Sequence, residues 1–361
     1  MRLVSVIPPW PETQQNDALF LLPGFRQWKK VAADAGFVLH THDLLRPGDA
    51  DLVWCVDLAE AVCPLWFIRN LRRSGKPVVL QVLESPLVKP LSHYAAVQTH
   101  FSAVLTYGFL REHGPRQYHC RIAVDLEPAR DGLAYAARRP VVMMNTNQNA
   151  NLIGVREAAE HPVLGPSRFR RRMRAWWAVE RARRAELYSW RRRLARAAER
   201  FPRRTLDVYG HGWRGEIPGD PAYRCAAGPH LERRVEISGQ EELHEKLDVL
   251  AQYRFTIAAE NFRGSLDYIS EKIIHPLLVG CVPVYLGDEN IASVVPPTAF
   301  VDARRFRHPA RLLQYLETLP EDAWRTAQRS GRAWLQTATA QAFSGDTYAR
   351  VATQVLEEIS R

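Results

Sequence analysis

The chain has 361 residues, 46% of them hydrophobic and 24% charged, an ordinary soluble globular composition with room for two domains. No run approaches the roughly 18 apolar residues of a membrane helix, and the apolar start is broken at Pro8 and Pro9, too short for a signal peptide. The net charge of +10 is local: residues 168–204 hold fifteen Arg and three Glu, a net +12, leaving −2 for the rest.

Residues 1–135 read as a Rossmann-like half. Leu3–Ile7 suits a strand and Phe25–Ala35 a helix stopped by Gly36. Phe37–His42, Leu52–Asp57 and Pro77–Leu83 are short apolar runs set between helical or loop segments, the alternation of an α/β architecture. His40 and His42 share a strand face, but no third ligand accompanies them, so edge-strand histidines are expected rather than a metal site. Asp49-Ala50-Asp51 sits in a Pro/Gly-containing loop and reads as a solvated turn. Glu84 follows directly on a strand, at the carboxyl end where open α/β sheets gather ligands. The five cysteines show no C-x-x-C spacing and are expected to be reduced and structural, consistent with a cytoplasmic protein.

A boundary is expected near residues 127–140, rich in charge, Gly and Pro, and Val141–Met144 then opens a second α/β pattern. The Arg-rich stretch 168–204 has no internal Gly or Pro before Pro202, so one or two helices are expected. Trp176, Trp177, Leu187, Trp190 and Leu194 give it apolar anchoring. A solvated helical face, attachment to an anionic membrane surface and nucleic-acid binding compete, the last weakened by the lack of any nucleic-acid fold signature. Thr205–Gly210 reads as a strand, residues 211–235 as loop, and Gln240–Tyr253 as an amphipathic helix.

Phe255–Gly287 reads as strand, loop, helix and strand. Phe255–Ala259 and Cys281–Leu286 suit buried strands, and Ile269, Ile273, Ile274, Leu277 and Leu278 recur at helical spacing before Gly280. A βαβ unit makes the sheet parallel. Glu271 and Lys272 fall in the first turn of its helix, where unpaired N–H groups and the dipole favour an anion. Pro276 should bend the last turn and spare the start. Helices follow at Pro309–Glu317, Glu321–Thr337 and Thr347–Ser360.

Glu260-Asn261, Asp267-Tyr268-Ile269-Ser270-Glu271-Lys272, Val282-Pro283-Val284-Tyr285-Leu286-Gly287, Pro296-Pro297 and Ala299-Phe300-Val301-Asp302 stand in a fixed order over about fifty residues. This order resembles the α-1,3/1,4-fucosyltransferases of glycosyltransferase family 10. The competing reading is a plain buried crossover with a salt-bridged helix start. The resemblance extends to Glu84-Ser85-Pro86 and, more thinly, to Phe101–Tyr107, where relatives that read T-Y-R have Tyr107-Gly108 here.

The resemblance implies two Rossmann-like domains facing a cleft, the GT-B arrangement: an acceptor-side domain over 1–135, a donor domain over 136–345, and a terminal helix in 346–361 that by analogy packs back on the first. It implies inverting transfer of L-fucose from GDP-fucose to a glycan hydroxyl in α-1,3 or α-1,4 linkage. Glu84 would be the general base; Asn261, Tyr268, Glu271 and Lys272 would bind the donor, with Glu271 on the ribose. Arg184, in the pattern R-x-x-[FL]-Y with Leu187 and Tyr188, would hold the diphosphate, with Arg183 or a later arginine remaining open. No metal or cofactor is required, with Mn or Mg as an optional stimulant. Relatives with a membrane stem differ here, which implies the soluble bacterial type and a surface polysaccharide or lipopolysaccharide as acceptor. The alternatives are another nucleotide sugar on the same fold, or a non-catalytic basic scaffold that binds nucleic acid.

Overall fold

The computed structural model describes residues 1–58, 64–108, 114–126, 132–201, 205–210, 212–213, 240–264 and 266–361. Most of the expected loop 211–235, part of the expected boundary (127–131), and Cys63 and Cys225 lie outside the described residues; Cys55, Cys120 and Cys281 are buried free thiols. Two parallel sheets organise the rest. The first holds β1 (Arg2–Ile7), β2 (Phe37–Thr41), β3 (Leu52–Val56), β4 (Val78–Val82), β5 (Ala103–Thr106) and β6 (Arg116–His119), in the order β2-β1-β3-β4-β5-β6. The second holds β7 (Arg139–Met144), β8 (Leu206–Tyr209), β9 (Tyr253–Gly264), β10 (Val282–Asp288) and β11 (Val301–Asp302), in the order β11-β10-β9-β7-β8. Every residue of β3, β4 and β10 is buried, as in parallel strands covered on both faces.

Helices α1 (Phe25–Asp34), α2 (Leu65–Arg73) and α3 (Ala95–Gln98) accompany the first sheet, and α4 (Leu152–Glu160) opens the second unit. The Arg-rich stretch forms two helices, α5 (Arg168–Ala185) and α6 (Tyr188–Ala198). Then come α7 (Gln240–Leu250), α8 (Glu271–Leu278), α9 (Pro309–Thr318), α10 (Glu321–Leu335), α11 (Ala338–Gln341) and α12 (Gly345–Ile359). Pro276 lies inside α8, past its first turn. His40 bonds Asp17 through Nδ1 at 2.9 Å, and Asp51 accepts from the Leu3 N–H at 2.7 Å, so both early motifs serve the fold.

Helix α12 lies on the first sheet. Its Tyr348, Ala352, Val355 and Leu356 share a core with Val4, Trp28 and Trp54. Trp28 and Trp54 sit 4.6 Å apart, and the Gln81 side-chain oxygen accepts from both Trp54 Nε1 and the Tyr348 hydroxyl at 2.9 Å. Gly24, at φ +77°, lets the helix approach, because a Cβ there would come within 2.6 Å of Ala123 and 2.9 Å of Tyr348. The two passages between the units run side by side, with the Val124 N–H on the Phe343 carbonyl at 2.8 Å. Asp267, at φ +63° on the second unit, is paired with Arg121 and with His119 (3.4 Å) on the first. These contacts bring the carboxyl ends of the two sheets to face one another.

Candidate active site

The centre is the start of α8. Ser270 caps the helix, and both its N–H and hydroxyl are held by Glu260, which is 0% exposed within β9. Lys272 Nζ lies 3.4 Å from Glu260, 3.6 Å from Glu271 and 3.2 Å from the Ser270 hydroxyl. Burial works against the Lys272 ammonium, but Glu271 and Glu260 outweigh it and hold its pKa above the ordinary lysine range. Burial likewise works against the Glu271 carboxylate, and Lys272 with Lys246 (3.6 Å) pulls it well below the usual glutamate range. Gly287 on β10 is required, since a Cβ would lie 2.5 Å from both Glu260 Cγ and the Tyr285 hydroxyl.

Two buried arginines of α6 face the same region. Arg191 donates to the Ala259 carbonyl (2.7 Å) and to Asn261 Oδ1 (3.0 Å), and its charge acts on Lys272. Arg192 donates to the Gln148 carbonyl at 2.9 Å. That carbonyl belongs to the polar turn after β7, which is drawn tightly against the end of β8. Gly210 (φ +129°) and Gly212 (φ +78°) each leave 2.4 Å between a hypothetical Cβ and a carbonyl of this turn. Asn147 Nδ2 donates to the Gly212 carbonyl at 3.1 Å. The crevice between β7 and β9, where the strand order reverses, is therefore ringed by backbone polar groups and cations.

The first unit presents Glu84. It lies beyond β4, with Asp57 beneath it accepting from the Glu84 N–H (2.9 Å) and the Leu83 N–H (3.3 Å). Burial pushes the Glu84 carboxyl up, against the pull of Lys272, and Glu271 adds to the rise. Asp57, fully buried, is pushed up to about 8 by burial and by Glu84. Tyr107 donates to the Glu84 carbonyl at 3.2 Å and packs edge-on against Tyr268 at 5.2 Å. Glu84, Tyr268, Ser270 and Glu271 line one cavity of about 210 Å³, closed on its apolar side by Trp10 and Phe25. A carboxyl of raised pKa thus faces a cationic helix start across a cleft, the layout of a base and an anionic leaving group.

Residues 173–350 match the family model described as glycosyltransferase family 10 (fucosyltransferase), C-terminal part. Residues 173–350 are the part of the chain that belongs to glycosyltransferase family 10. It is 40% identical over 107 residues to GDP-fucose protein O-fucosyltransferase 3 of Xenopus tropicalis, covering 29% of this chain and 22% of that protein. Against the α-(1,4)-fucosyltransferase of Arabidopsis thaliana it is 30% identical over 138 residues, 36% of this chain and 32% of the relative. The chain therefore spans less than a third of the length of either relative. In fold it is similar to an α1,3-fucosyltransferase crystal structure (TM-score 0.55, 14% identity, 100% of this chain and 92% of that one). Sucrose-phosphate synthase from Thermosynechococcus elongatus gives the same TM-score at 12% identity, with 99% of both chains covered. The shared fold is the GT-B pair of parallel α/β units.

Of the residues that the family 10 resemblance singles out, Glu84, Tyr268 and Glu271 share the cavity, and Lys272 and Asn261 join them through Glu271 and Arg191. Arg184 does not join them in this way. It is exposed in the last turn of α5, whereas Arg191, one helix later, is 2% exposed and bonded to Asn261. The break between the two helices causes the change: Leu187 leaves the helix to give its N–H to the Asn261 carbonyl, which turns α6 toward the crevice. Glu260 and Asp57 were also missed as working groups. Glu260 was quoted only as part of the motif, although a glutamate ending a run of buried strand residues signals a partner charge.

Proposed function

We propose that the protein transfers L-fucose from GDP-fucose to a hydroxyl of a glycan acceptor, with inversion. The observation that carries this reading is the facing pair: Glu84 with its raised carboxyl on one unit, and the Lys272–Glu271 helix start on the other, around one cavity. Glu84 takes the acceptor proton as the new bond to the sugar forms. The bond from the sugar to the diphosphate breaks in the same event, through an oxocarbenium-like state. Negative charge growing on the departing diphosphate is met by Lys272, the α8 N-terminus and Arg191, which is buried beside Asn261 whereas Arg184 is exposed. Protein cations thus serve the leaving group, and a divalent ion is an optional stimulant. Glu271 binds the ribose hydroxyls, and Asn261 and Tyr268 complete the donor wall.

For the acceptor, a surface polysaccharide or lipopolysaccharide linked α-1,3 or α-1,4 remains the first reading. A protein hydroxyl is the second, favoured by the O-fucosyltransferase relatives. For location we propose the cytoplasmic face of an anionic membrane. Phe169, Met173 and Trp176 recur at i, i+4 and i+7 on α5 and are 74%, 44% and 55% exposed among its arginines. Among the described residues no helix is long and apolar enough to cross a membrane.

Calorimetric titration with GDP, GDP-fucose, GDP-mannose and UDP-glucose, with and without Mn²⁺, tests the donor. Metal-independent binding of GDP and GDP-fucose is expected. Preference for a different nucleotide would move the enzyme to another sugar, and silence toward all four would defeat the reading.

A further inference from the structure

A second concavity, of about 270 Å³, opens on the loop that follows Glu84 and shares no lining residue with the first. One wall is the loop after β4, from Pro86 to Tyr94; the other is α5, through Arg174, Trp177 and Arg181. Two contacts tie it to the cleft. His93, which lines the concavity, bonds the Glu84 carbonyl through Nε2 at 2.9 Å. Phe262 borders it from β9, next in sequence to Asn261.

Its walls carry a specific chemistry. Trp177 borders the cavity yet is 58% exposed, with its ring edge-on to Trp176 at 4.6 Å, so indole surface remains open to a ligand. Arg174 donates through Nη2 to the Leu164 carbonyl at 3.0 Å, while its buried Nη1 has no hydrogen-bond partner. Arg181 is exposed, and both guanidinium groups act on the Tyr94 hydroxyl on the opposite wall. The whole of α5 holds eight Arg and one Glu. An open aromatic face takes the C–H face of a sugar ring, and planar guanidinium forks take carboxylate or phosphate oxygens.

We propose that this concavity is an acceptor subsite for an acidic glycan. Trp177 stacks on a ring of the acceptor, and Arg174 with Arg181 binds a carboxylate or phosphate carried nearby, which presents the reactive hydroxyl to Glu84. The inference rests on the glycan-acceptor reading and adds the charge of the acceptor to it. A bilayer is the competing occupant of α5, but it cannot enter a concavity walled on two sides. Around α5, Phe169 and Trp176 lie about 80° and 100° from Trp177, with Met173 about 40° away between the two faces.

The test uses an array of matched neutral, carboxylated and phosphorylated oligosaccharides, read with the full chain and with three variants. Acidic members are expected to bind at least ~10-fold more tightly than their neutral partners at low salt. Arg174→Ala/Arg181→Ala should abolish that preference and Trp177→Ala should weaken all members, with GDP affinity unchanged within about twofold. Arg170→Ala/Arg172→Ala, on exposed positions of the same helix, should keep the preference. The proposal is overturned if no member binds, if acidic and neutral members bind alike, or if both double variants lose the preference equally. It is also overturned if Arg174→Ala/Arg181→Ala loses binding to phosphatidylglycerol vesicles while glycan binding stays. Loss of GDP binding in every protein would instead strike the fucosyl reading, and the charge preference would still be read separately.

Discussion

Replacing Lys272 by Met tests the donor site most directly. At 3.4 and 3.6 Å, and with an effective dielectric of about 20, Glu260 and Glu271 each attract the ammonium by roughly 4.6–4.9 kcal/mol before desolvation. The ammonium is thus fixed where it stands, and burial has not neutralised it. Around the helix start, Lys272, Lys246 and Arg191 face Glu260, Glu271 and, from the first unit, Glu84, and Lys272→Met removes one of the three cations. A charge-assisted contact to a phosphate is worth about 1.5–3 kcal/mol. At 1.36 kcal/mol per decade that is a loss of about 13- to 160-fold in GDP affinity. Calorimetric titration with GDP and GMP at neutral pH, with near-UV circular dichroism to confirm the fold, reads the effect. GDP should weaken far more than GMP, because only GDP carries the second phosphate. Equal loss for both nucleotides, or an unchanged GDP constant in a folded variant, would refute the assignment.

Three further outcomes follow from other parts of the cleft. Turnover should rise with pH through a limb above the ordinary glutamate value of about 4.3, because burial keeps Glu84 protonated longer and the base works deprotonated. Glu84→Gln should erase turnover and spare GDP binding, and Asp57→Asn should leave the limb where it is, because Asp57, pushed up to about 8 by burial and by the Glu84 charge, is still neutral while Glu84 loses its proton; a limb moved to lower pH would count against that order. Gly287→Ala should cost about 1–3 kcal/mol, read as a lowered thermal midpoint, since the new methyl meets the buried Glu260 and Tyr285. Burial raises the Asp267 carboxyl, but His119 and Arg121 hold it below the ordinary aspartate value. Its stabilisation is therefore present above the unfolded pKa and lost as pH falls through the lower folded one. Arg121→Ala should move that loss to higher pH and weaken the junction by about 3 kcal/mol, seen as faster limited proteolysis between the units.

Much of the frame was legible because buried parallel strands announce themselves. β3 is an unbroken apolar run, β4 is one but for Gln81 and β10 is one up to Gly287-Asp288, and the Glu271-Lys272 helix start is bounded by Ser270 and Gly280. β6 was not legible: RQYH is a polar edge strand that burial never had to make apolar. The inward turn that buries Arg191 and leaves Arg184 exposed was hidden for a different reason. Nothing in Ala185-Glu186-Leu187-Tyr188 breaks a helix by propensity; the break is tertiary, made by the Asn261 carbonyl and by Glu186 accepting from the Ser189 N–H at 2.9 Å. The Glu84–Asp57 pairing was invisible for want of any motif, since the two are joined only by neighbouring strands.

The return of α12 to the first sheet has a consequence for how the molecule is made. A ribosome releases β1 to β6 early, yet Trp28 and Trp54 lack the helix that covers them until Gly345–Ile359 has been synthesised. The second unit, whose strands and helices all fall between these two segments, can close its own core first. During synthesis the early half is thus the sticky one. Its exposed tryptophan face is where a chaperone would hold the nascent chain, and a stop codon before Gly345 would leave that face uncovered while the helix start at Glu271–Lys272 stood complete.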